Sequence, residues 1–107
     1  MSSLQEINNE LVKVLELGEG QFIEFKSSLD KNITKELVAF ANASGGVIYL
    51  GITDSGKIKG IEITNSLISQ IQDIAHNCDP SILIKTNKIN NVLAIKVNEG
   101  HNKPYSC

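Results

Sequence analysis

Glu24-Phe25-Lys26 puts an acid and a base two residues apart on an extended stretch, and Asp54 closes an apolar run over residues 47–53. Carboxylates carried to one place by two strands would offer hard oxygen ligands to a divalent ion such as Mg²⁺ or Mn²⁺. Lys26 would share Glu24's side of its strand and could stabilise charge developing on a phosphoryl group. Glu19, a few residues upstream in a loop, makes a third acid for the same purpose. A plainer reading uses the same residues. Glu24 and Lys26 form an ion pair on a wet sheet face, Asp54 bonds its own backbone in a turn, and Glu19 is solvated. The residue types leave both open.

The other reactive residue types say less. Ser44-Gly45-Gly46 could turn backbone N–H groups toward an anion, but it follows a helical stretch, so it lacks the helix N-terminus that makes phosphate loops effective. Nothing matches a P-loop, which disfavours ATP hydrolysis. His76 falls near the end of a helix, where its charge suits the dipole, and His101 falls in a polar loop. Cys78 sits on an apolar helix face and reads as a small core residue; with Cys107 it is too little for a disulfide framework. All ten basic residues are lysines. Arginine, the usual bidentate reader of guanine and phosphate, is absent. Lys57 and Lys59 alternate along one stretch and, with Lys103, are the expected nucleic-acid contacts.

Elements that would position these residues follow from periodicity. Residues 3–17 carry Leu4, Ile7, Leu11 and Val14 at helical spacing, with Ser3 and Glu6 as a capping pair and Gly18 as the stop. Residues 21–26 read as a strand, with Ile23 and Phe25 facing one way. Residues 32–43 read as a helix capped by Asn32, with Ile33, Leu37, Phe40 and Ala41 as its stripe. Residues 47–53 read as a central strand covered on both faces. Asp54-Ser55-Gly56 then forms a hairpin loop, and residues 57–63 return. A third helix runs from Thr64 or Asn65 to about Cys78, and Asp79-Pro80 stops it. Residues 81–89 and 92–97 pair as strands through Asn90-Asn91. The expected fold is α+β, in α/β layers, with a mixed sheet and the order α-β-α-β-β-α-β-β. Any parallel strand–helix–strand unit should cross over right-handed.

With 107 residues the chain makes one domain, 1–107. Residues 100–105 read as a loop, yet the chain stops at Cys107 with no polar tail, so an N-terminal piece of a longer protein is expected. Apolar residues are 41%, which excludes global disorder. Aromatics are 5% with no Trp, which argues against a stacking surface for single strands. The net charge of −2 supplies no bulk grip on nucleic acid. No leader or long apolar segment stands out, so no membrane partner and a cytoplasmic location are expected.

Glu19, Glu24-Phe25-Lys26-Ser27, the run from Ala39 to Gly46, Leu50-Gly51-Ile52-Thr53-Asp54-Ser55-Gly56 and Lys103-Pro104-Tyr105 together resemble the Schlafen AlbA-type DNA-binding domain, once filed among divergent AAA ATPases. The likeness spans about residues 17–105. It implies a nucleic-acid-binding domain, DNA or RNA being the partner, at the front of a transcriptional regulator with a helix-turn-helix region beyond. A Schlafen branch is a metal-dependent endoribonuclease using three acids; by motif Glu19 and Glu24 match two, and Asp54 is the nearest third. The lack of Arg and the acidic balance favour a further alternative, a dimerisation or interaction module, with a homodimer as its expected form, serving a separate DNA-binding region.

Overall fold

A computed structural model describes residues 2–107, with side chains from Asn9 onward. Seven elements follow one another: α1 (Ser2–Leu17), β1 (Ile23–Lys26), α2 (Ile33–Asn42), β2 (Gly46–Leu50), α3 (Asn65–His76), β3 (Ile84–Ile89) and β4 (Val92–Val97). The sheet runs β1-β2-β4-β3. β1 and β2 are parallel, joined through α2, while β4 is antiparallel to both of its neighbours. The α+β class and mixed sheet are as the residue pattern implies.

β2 is central because its side chains are apolar on both faces. Ile48 and Leu50 enter a core with Ile33, Leu37 and Phe40 of α2 and Ile71 and Ala75 of α3. Tyr49 faces the other way, among Phe25, Val92 and Ala94, and that side is closed by Leu11 and Val14 of α1. Ser3, Leu4, Glu6 and Ile7 lie outside the residues whose side chains are described.

Four local expectations are revised. Residues 57–63 form no strand; a single antiparallel bridge, Ile52 to Ile58, is what remains of the return. Gly60 takes φ +80, and the Lys59, Gly60 and Ile61 N–H groups donate to Gly51 and Asn91 instead of a ladder. Lys57 and Lys59 are therefore exposed loop residues, not neighbours on a strand. Asn32 precedes α2 with helical dihedrals and no side-chain cap; its N–H instead donates to the Asp30 carboxylate at 2.9 Å. The third helix ends at His76, two residues early, because Ser81 Oγ takes the His76 carbonyl. Cys78 is no free thiol: it is disulfide-bonded to Cys107, beside backbone bonds between Asp79 and Ser106.

The expected stop after α2 does form, and Gly is required there. Gly45 has φ +81, and a Cβ on it would stand 2.7 Å from the Val97 carbonyl. Its N–H donates to Phe40 O, so it is not free for an anion. Asn42, from the same run, makes two bonds with Tyr105: Tyr105 N–H donates to Oδ1 at 2.6 Å, and Nδ2 donates to the Tyr105 carbonyl at 3.0 Å.

Candidate functional site: an acidic cleft at the end of β1

The parallel pairing of β1 with β2 sets the C-terminal ends of both strands side by side. The chain leaves β2 at Gly51, whose N–H donates to the Lys26 carbonyl at 2.7 Å, so the turn carrying Asp54 starts over the end of β1. α2 begins soon after β1, and its first turn brings Glu36 to the same place. An acid there complements the helix dipole. The result is a polar recess of about 330 Å³ lined by Glu24, Lys26, Asp30, Glu36 and Asp54.

Lys26 is 7% exposed, and two carboxylates balance its charge. Its Nζ lies 2.9 Å from Asp30 Oδ1 and 3.1 Å from Glu36 Oε1. The hydrogen bond to Glu36 goes to the other oxygen, Oε2, at 3.3 Å; Oε1 is buried without one. Burial works against the ammonium, but the bonds to Asp30 and Glu36 outweigh it and hold Lys26 above its ordinary pKa. The same bond, with the Asn32 N–H, holds Asp30 below the usual carboxylate range. Lys26 thus pairs with neither Glu24 nor solvent.

Glu24 is the perturbed acid. Burial, then the charges of Glu19 and Glu36, then a hydrogen bond shared with Glu19, push it up to about 6, with Lys26 opposing. Glu19 has a second duty: its Oε2 accepts the Phe25 N–H at 2.9 Å. Glu19 and Glu24 are therefore brought together. Asp54 is exposed and also lines the recess. The side-chain bonds in its turn are made by Thr53, whose Oγ1 accepts the Lys57 N–H and meets Ser55 Oγ. Among the described residues, no three His, Cys, Asp or Glu side chains are grouped to hold a metal ion. The cleft supplies a contacting carboxylate pair, not a ready-made three-acid set for Mg²⁺ or Mn²⁺. Lys103 is elsewhere, paired with Glu99 at 2.8 Å.

Glu36 and Asp30 are site residues that the sequence pattern did not single out. Their one signal is position, since the start of a crossover helix lies over the end of the strand before it.

Glu24 should make stability depend on pH. Its folded pKa lies above the ordinary 4.5, so its contribution is fully present below pH 4.5 and is lost as pH rises through about 6. After allowance for solvent screening the loss is about 1 kcal/mol. Glu24→Gln should therefore melt roughly 4 °C higher than wild type at pH 7.5 and level with it at pH 4. Calorimetry at both pH values checks this.

No curated protein matches the chain. The solved structure of the DIP2311 protein from Corynebacterium diphtheriae is similar, with a TM-score of 0.56 at 15% identity over 98% of this chain and 24% of that one. The chain thus spans about a quarter of that protein's length, and the likeness is one of fold. No helix among the described residues is long and apolar enough to cross a membrane. The family described as Schlafen, AlbA_2 matches residues 19–107, a stretch that holds the cleft, the whole sheet and the Asn42–Tyr105 contact, and the chain belongs to that family.

Proposed function

We propose that this chain is a nucleic-acid-binding domain of a transcriptional regulator. Family membership supports the class of ligand. The observation that carries the reading further is that, among the described residues, only Lys26 and Lys103 engage acids. The other lysines, Lys57 and Lys59 with them, keep their charge for an outside anion. Binding of this kind is electrostatic and tolerant of sequence, with Kd of roughly 10⁻⁴ to 10⁻⁶ M and a steep salt dependence. Anisotropy titrations with duplex DNA and with RNA at several salt concentrations test it. Absence of binding at low salt would overturn it, and nanomolar, sequence-selective binding would overturn the electrostatic mode while leaving the nucleic-acid reading in place.

The second reading, a metal-dependent endoribonuclease, is favoured by the Glu19–Glu24 contact and the raised pKa of Glu24. A cation that bound this pair would displace the Glu24 proton and stabilise the fold by mass action. Under the binding reading, millimolar Mn²⁺ moves the melt of wild type and of Glu24→Gln equally and RNA stays intact. A Mn²⁺ shift confined to wild type, with cleavage of RNA, would establish the nuclease instead.

A further inference from the structure

The strand order places β3 at the opposite edge of the sheet from β1 and its acidic cleft. The β3–β4 hairpin, residues 84–97, contains Lys85, Lys88 and Lys96 and no acid, in a chain of net charge −2. Register sets Lys85 directly opposite Lys96, and all three lysines are exposed. Like charges directly opposed across two strands repel. Among the described residues, no carboxylate is within ion-pair distance of either one, unlike Lys26 and Lys103. Beside the pair is a recess of about 270 Å³ walled by Val47, Tyr49 and Ala94, with Glu10 on its α1 side. α1 covers the other end of this sheet face through Leu11 and Val14.

Resting on the nucleic-acid reading above, we infer that the β3–β4 hairpin is the surface that holds the phosphate backbone, with Lys85 and Lys96 straddling one strand of it. Three features select this ligand. The hairpin offers point charges without the planar fork that reads a particular carboxylate or base, which suits a repeating phosphate. A bound phosphate relieves the repulsion that the register imposes on the lysine pair. The acids gathered at the β1 edge repel a polyanion, so its approach is directed to the β3 edge. The loop lysines Lys57 and Lys59 follow Asp54, which lines the acidic cleft, and are secondary.

The test uses the whole 107-residue chain with random-sequence duplex DNA, with RNA, and with inorganic polyphosphate as a bare anion. Binding is read by anisotropy and mapped by amide NMR shifts. Lys85→Gln with Lys96→Gln should weaken DNA and RNA binding roughly tenfold and lower the salt slope by about two. Lys85→Arg with Lys96→Arg should bind as wild type, and Lys57→Gln with Lys59→Gln should weaken binding less than the Lys85/Lys96 change does. Nucleic acid and polyphosphate should both shift hairpin amides. Nucleic-acid binding that maps elsewhere, or that survives the Lys85/Lys96 change, overturns this inference and leaves the nucleic-acid reading standing. Polyphosphate on the hairpin with no nucleic-acid binding overturns both and points to an acidic protein as the occupant. Silence of the hairpin toward every probe also overturns it.

Discussion

Lys26→Met should destabilise the domain by about 2–3 kcal/mol at pH 7.5, roughly a 10–20 °C fall in melting temperature for a domain of this size. Lys26 is almost wholly buried, and methionine fills similar space without charge. What is left behind is Glu36, with one buried oxygen already lacking a hydrogen bond, and Asp30. Removing one member of a fully buried pair costs 3–5 kcal/mol; the figure here is lower because Asp30 is half exposed. Glu24 also loses the one neighbour that holds its pKa down, so it moves above about 6. The sign follows: the variant loses stability with rising pH more steeply than wild type, and acidification to pH 5 narrows the gap. Denaturant melts at pH 5 and 7.5 measure both effects. Equal losses at the two pH values would mean that Lys26 acts only by packing.

Opening the Cys78–Cys107 bond is the second large effect. The residues are 29 apart in sequence, and a closed loop of that length contributes about 3–4 kcal/mol in the chain-entropy account. Reduction with a phosphine, or Cys78→Ser with Cys107→Ser, should lower stability by that amount. The loss should also be uneven. Tyr105 is buried and tied to Asn42, so it holds longer than Ser106, which has only its backbone bonds to Asp79. Hydrogen exchange should quicken first at the Asp79 and Ser106 amides. Unchanged exchange there after reduction would show that the backbone pairing stands without the sulfurs.

Much of the layering was legible in the sequence because it depends on local periodicity. The apolar run through Ile48 and Leu50 could only be a doubly covered strand, and Leu11 with Val14 marked the helix that covers one side. The return strand was misread for a physical reason. Ile58, Ile61 and Ile63 offer apolar residues to a ladder, but Gly60 turns the chain left-handed and its N–H bonds to Gly51. Asn32 looked like a cap until Asp30 took its N–H. The site was legible only in part. Glu24 and Glu19 meet because one lies in β1 and the other in the loop that leads into it. Glu36 is invisible in the pattern, since an acid on the polar face of a helix gives no sign of the lysine it will meet. The disulfide and the Asn42–Tyr105 pair likewise join residues far apart in the chain, and no local pattern encodes them.

The bond from Phe25 N–H to Glu19 also bears on how copies of this chain can associate. β1 is a terminal strand, and the Phe22 and Lys26 carbonyls serve β2, so alternation along the strand turns the Phe25 amide away from the sheet. Left open, that amide would recruit another chain's strand, the usual route to strand-swapped dimers and fibres. Glu19 occupies it, and Gly20 N–H occupies the outward carbonyl of Ile23. A self-assembling sheet could grow past β1 only by expelling a carboxylate that already has its partner. A homodimer made by pairing strands across the β1 edge would therefore have to break the Phe25–Glu19 bond first.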